Sequence, residues 1–197
     1  IGGIIYGSID SENVTVRTFD DQRYRGTVLL NDPASHVNRD VHTQPRDENT
    51  MEVRLDARTT SAMQTRALGV EVGDFIFVDP RVEVGEAGFV RSRFIDDKGC
   101  VANIYGALMA LRDAGLQPAQ DTAFLIANYE EVGHGGSSGW PFELAELLAV
   151  DMGAIGESQH SDEFSVSICI KDGGGPYHFD MNNKLRRLAT THDIPYK

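Results

Sequence analysis

Residues 122–128, Thr122-Ala123-Phe124-Leu125-Ile126-Ala127-Asn128, form an apolar run that leads straight into Tyr129-Glu130-Glu131-Val132-Gly133-His134-Gly135-Gly136. Such a run predicts a strand buried on both faces. Ending it on two adjacent carboxylates is costly unless something at its C-terminal edge uses them. Open parallel sheets collect ligands and catalytic groups at that edge. The pair therefore predicts a division of labour, with one glutamate a base and the other a metal ligand.

The 197 residues are enough for one large domain or two small ones with a real core. Their balance is acidic: 30 Asp and Glu against 18 Lys and Arg leave a net charge of −12. That excludes the basic footprint needed for nucleic acid, and it disfavours anionic membrane surfaces. Cys100 and Cys169 lie far apart without Cys-x-x-Cys spacing, so buried free thiols are expected. No apolar run has membrane-span length and no signal-peptide pattern opens the chain, which makes the cytoplasm the default. The first residue is Ile1 and the last four, Ile194-Pro195-Tyr196-Lys197, are strand-like, so both ends read as cut and a fragment is expected.

Residues 1–86 read as a β-rich domain of small-barrel or sandwich type. Short β-branched runs at 4–7, 14–18, 24–29, 51–56 and 75–78 alternate with Asp, Ser, Gly and Asn turn signals. Residues 31–50 are polar and hold Pro33 and Pro45, which predicts a long surface loop with partial disorder; His36 and His42 in it read as surface histidines. Thr60 or Ser61 is placed to cap a short helix that ends at Gly69. A glycine-containing crossing at 84–88 then opens a strand–helix alternation over residues 87–197, the signature of an α/β layer. Predicted there are strands at 90–95, 122–129, 147–150 and 164–170, an amphipathic helix over 100–114, a short helix from Ser137 or Ser138 to Ala145, and a last helix over 180–191.

Three of the predicted strands finish on acids, at Asp96, at Glu130 with Glu131, and at Asp151. On adjacent parallel strands these four carboxylates would meet at one sheet edge, where like charges repel strongly without a cation. A divalent metal among them, with a spare carboxylate as base, suits a hydrolytic site, above all one with two metals bridged by an acid. The plainer alternative is that each acid caps its own turn.

The ordered motifs Phe94-Ile95-Asp96-Asp97-Lys98-Gly99-Cys100, Glu130-Glu131-Val132-Gly133 and Ala149-Val150-Asp151-Met152 resemble those of the glutamyl aminopeptidase family of dinuclear metallopeptidases, which includes the tetrahedral aminopeptidases. Weaker echoes at 68–74, 172–176 and 194–196 extend the likeness over nearly the whole chain. The resemblance implies an α/β fold: part of a mixed-sheet, helix-flanked metallopeptidase domain, preceded by an inserted β-barrel domain that helps build oligomers. It implies two divalent ions, zinc or cobalt, with Asp96 bridging them, Glu131 and Asp151 each ligating one, and Glu130 as general base. It also implies a peptide substrate, a homo-oligomer and a cis Asp96-Asp97 peptide. Two further histidine ligands of the family would lie outside this chain, so the fragment is expected to be inactive, with the activity belonging to the full-length protein. His134 beside the glutamate pair is expected to line the pocket or to bond its loop.

Two other readings compete. A related dinuclear carboxypeptidase or deacylase also uses an Asp-containing turn and a Glu-Glu pair, but here the β-rich part precedes the Asp96 motif. A non-catalytic oligomerisation module is the third. A phosphate loop at 133–139 is disfavoured by the missing lysine and the preceding acids, and Ser137 and Ser138 lack nucleophile-elbow spacing.

Overall fold

The computed structural model describes residues 3–141 and 143–197 and divides the chain into two compact units. One comprises Ile1–Arg93 with Leu125–Trp140, and the other Phe94–Phe124 with Pro141–Lys197. The class is α/β, with an antiparallel sheet and helices.

The first unit is built on a four-stranded antiparallel sheet in the order β3-β2-β1-β4: β1 Asn13–Arg17, β2 Arg23–Leu30, β3 Met51–Leu55 and β4 Phe75–Val78. Alternation sets its faces. Val14 and Val16 are buried on β1, Val28 and Leu30 on β2, and Val78 on β4. Ile9, Val14, Val28 and Val78 form a cluster, with Ile4, Met51 and Val53 packed against it. The Arg25 guanidinium spans β1 to grip both oxygens of Asp79 at 2.8 and 2.6 Å, and this pairing holds the Asp79 carboxyl below its ordinary range. The predicted short helix is present as α1, Ala62–Ala67: Ser61 Oγ accepts from Gln64 N–H, and Gln64 Oε1 accepts from Thr60 N–H.

Three expectations change in this unit. The loop at 31–50 is ordered, because its polar residues bond one another. Arg46 donates to Asp10 and to the Val41 and Gln44 carbonyls, while Asp47 caps the Asn49 and Thr50 amides. The crossing at 84–88 is the tip of a tight hairpin, β5 Glu83–Val84 with β6 Val90–Arg91, closed by Gly85 N–H to Phe89 C=O. The run predicted as a strand at 4–7 instead enters a 3-10 turn, Tyr6–Ser8.

In the second unit, α2 (Ile95–Asp113) contains the predicted helix, and Gly115 at φ 66° follows its end. Val101, Ile104 and Leu111 lie half-buried at helical spacing. After the hairpin β7 Lys171–Asp172 and β8 Gly175–Pro176 comes α3, Phe179–Thr191. The predicted strand at 164–170 is reduced to a parallel bridge, Val166 with Tyr196, supported by Val166 N–H to Pro195 C=O and Ile168 N–H to Lys197 C=O.

The predicted strands at 122–129 and 147–150 carry no ladder among the described residues, and residues 94–95 turn into α2 rather than extending a strand. The parallel sheet edge expected to gather the acids is therefore absent among the described residues. A strand exists only where a neighbour accepts its backbone bonds. Ile126 and Leu147, each 59% exposed, show that these runs are not covered here. The helix expected from 137 to 145 is absent over the described residues; Phe142 lies outside them. Pro141 disfavours helical geometry at Trp140, whose indole N–H donates instead to the Gly136 carbonyl. Both cysteines are free, as expected, but Cys169 is exposed rather than buried. No helix among the described residues is long and apolar enough to cross a membrane.

Candidate metal centre

The entry to α2 is irregular. Phe94 stands at φ 63°, Asp96 and Asp97 depart from helical φ/ψ, and the peptide between the two aspartates is cis, as the resemblance implied. In a regular helix, successive side chains diverge by about 100°. The break in regular geometry instead lets two consecutive carboxylates reach one place. There Asp96, Asp97 and Asp151 each present an oxygen, all within 4.8 Å of one another, with Asp97 half-buried and the other two exposed.

Burial, and then the charges of Asp151 and Asp97, hold the Asp96 carboxyl above its ordinary range. Burial, and then a hydrogen bond to Asp97, push the Cys100 thiol up to about 12. Cys100 therefore stays a neutral donor beside the acids. Asp97 Oδ1 is buried without a hydrogen-bond partner. A buried carboxylate oxygen left unpaired is costly, and a cation relieves both that cost and the mutual repulsion. Three oxygen donors with an unsatisfied buried atom thus fit a divalent ion. No histidine joins them among the described residues. His178 accepts from Met181 N–H at the start of α3, His192 ends that helix, and His36, His42 and His160 are exposed.

The backbone behind Asp151 is tightly placed. Its Oδ1 accepts from Met152 N–H at 2.6 Å. A Cβ on Gly153 would clash with Ser167 Oγ and would sit 2.8 Å from Ser167 Cβ and 3.1 Å from Ser161 Oγ. Gly153→Ala is expected to cost about 1–3 kcal/mol through overpacking and to weaken metal retention by displacing Asp151. Adding Ser167→Gly should restore both. Thermal melts with metal analysis check this, and an unaltered Gly153→Ala protein would refute it.

Glu130 and Glu131 belong to the first unit, on a single 3-10 turn, Glu130–Val132, that ends at Gly133 with φ 83°. The four predicted acids are thus divided. Asp96 and Asp151 come together in the second unit with Asp97, for which the resemblance implies only a cis peptide to Asp96. The two glutamates stand side by side in the first. Asp97 could have been found in the sequence from its adjacency to Asp96, had a broken helix start been foreseen.

The model of the M42 glutamyl aminopeptidase family matches residues 1–197. The chain is 44% identical over its 197 residues to "Putative aminopeptidase YhfE" of Bacillus subtilis (strain 168), covering all of this chain and 57% of that protein. Among solved structures it is similar to aminopeptidase APDkam598 from the archaeon Desulfurococcus kamchatkensis, with a TM-score of 0.72 at 25% identity, covering all of this chain and 55% of that one. The TET aminopeptidase from the marine sediment archaeon Thaumarchaeota archaeon SCGC AB-539-E09 shares the fold, with a TM-score of 0.73 at 18% identity and 56% of its chain covered. The chain spans about half the length of the relatives it matches. Matched by the family model from its first residue to its last, the chain belongs to the M42 glutamyl aminopeptidase family.

Proposed function

We propose that the full-length protein is a metal-dependent aminopeptidase that removes N-terminal residues from peptides. The family match over the whole chain carries this reading, and the aspartate cluster with its unsatisfied Asp97 oxygen supports the metal dependence. Asp96, Glu131 and Asp151 would hold two divalent ions, zinc or cobalt, with Asp96 shared between them. When bound, such a pair supplies Lewis acidity and acidifies a water. Glu130 would remain free of the metal as the general base. It accepts the proton that the attacking water loses, then hands it to the departing amine, so one carboxylate serves as base and then as acid. Residues 1–86 form an inserted domain that contributes to a homo-oligomer.

The test is hydrolysis by the full-length protein of short peptides with free or acetylated N-termini. Release of the first residue only from the free amine is expected, abolished by a chelator and restored by zinc or cobalt. Release of the C-terminal residue, or of the acetyl group, would favour the carboxypeptidase or deacylase reading. No hydrolysis in any arm would favour an oligomerisation module.

A further inference from the structure

The turn that carries Glu130 and Glu131 is short. A three-residue 3-10 segment has poor hydrogen-bond geometry, and Tyr129 at its start makes no side-chain cap. What closes it comes from both flanks. Val132 and His134 N–H both donate to the Tyr129 carbonyl, at 3.2 and 3.1 Å, and Gly133 N–H donates to that of Glu130 at 2.8 Å. The imidazole of His134 then lies on the ring of Tyr129, with centroids 4.9 Å apart and planes 14° from parallel. The chain can fold back this closely only because position 135 is glycine. Its φ is 109°, and a Cβ there would sit 3.3 Å from Tyr129 Cβ and 3.4 Å from Tyr129 N. Two rings thus bracket two carboxylates in sequence, Tyr129 immediately before the pair and His134 three residues after it.

We infer that His134 is a positioning residue: by stacking on Tyr129 it fixes the turn that aims Glu130 and Glu131. It uses its ring face, since neither ring nitrogen has a hydrogen-bond partner among the described residues. An offset aromatic stack stabilises a partly exposed turn at little cost in side-chain entropy. Carboxylates that must act within a fraction of an ångström need such support. The inference rests on the proposed roles of the two glutamates, but the stack itself can be tested without them.

The experiment uses the full-length protein with His134→Ala, which removes the ring face, and His134→Phe, which keeps the face and removes both nitrogens. For His134→Ala, kcat is expected to fall about 10- to 100-fold with KM changed less than about twofold, the scale of a small misplacement of reacting groups. Amide exchange at Val132, Gly133 and His134 should rise in parallel. His134→Phe should recover both. If His134→Ala does not fold, Tyr129→Leu removes the same stack from the other side and is expected to give the same result. The inference is overturned if His134→Phe is as impaired as His134→Ala while exchange stays unchanged, because the imidazole would then act chemically. It is equally overturned if His134→Ala matches the parent in both measurements. An inactive parent would count against the proposed function, and the exchange comparison would still decide on the stack.

Discussion

Glu130→Gln in the full-length protein is expected to lower kcat by about 10²–10⁴-fold, the range that a positioned proton-transfer group contributes. The amide keeps the shape and the hydrogen-bonding reach of the acid but cannot take up a proton. KM and metal content should therefore stay within about twofold of the parent, since only an interaction made in the transition state is removed. Glu131→Gln is the necessary comparison. An amide oxygen is a poorer ligand than a carboxylate, so this variant should lose metal as well as rate, and excess metal should return part of the activity. The two neighbours would then be told apart by one measurement, metal per chain. If Glu130→Gln loses metal while Glu131→Gln retains it, the roles are exchanged. If both lose metal equally, neither is the base.

The parts of the fold that were legible in the sequence are those whose causes are local. Alternating burial on β1 and β2 follows from Val14 and Val16 in Asn13–Arg17 and from Val28 and Leu30 in Arg23–Leu30, and the boundary of α1 follows from Ser61 and Gln64. The end of α2 follows from Gly115. What stayed illegible depends on partners distant in the chain. The apolar runs at 122–128 and 147–150 have the composition of buried strands, yet composition cannot supply the neighbour whose carbonyls a strand needs. The polar stretch at 31–50 failed for the opposite reason. Its charges looked like solvated surface, but Arg46 binds Asp10, 36 positions away, and that pairing has no local signature. At the site, Asp96 and Asp151 were readable as acids following apolar runs. Asp97 was not, because regular backbone would point adjacent side chains apart, and only the non-helical geometry at the start of α2 brings both to one place.

If Asp96 bridges two ions as proposed, Asp96→Ala is expected to take both from the full-length protein and to reduce peptidase activity to background, whereas Asp151→Ala should remove one. A carboxylate shared by two ions cannot be lost without weakening both sites, so loss of a single ion from Asp96→Ala would refute the bridging role. A second effect of the same residue has opposite signs with and without metal. In the metal-free protein the folded-state pKa of Asp96 is raised, by burial and then by the charges of Asp151 and Asp97. A raised carboxyl pKa contributes stability that is present below the unfolded value and is lost as pH rises through the folded one. Asp96→Asn, which removes that charge for good, should therefore raise Tm in chelator at neutral pH and make little difference at acidic pH. With metal the order reverses. A ligand present at 100 times its Kd adds about 2.7 kcal/mol, or about 2–4 °C per kcal/mol for a unit of 150–250 residues. That gain needs deprotonated carboxylates, so it should shrink as pH falls. Melting curves of parent and Asp96→Asn at pH 5 and pH 7.5, in chelator and in zinc, test the crossing. If Asp96→Asn melts below the parent in chelator at neutral pH, the aspartates do not repel one another in the folded chain, and the electrostatic case for a cation among them fails.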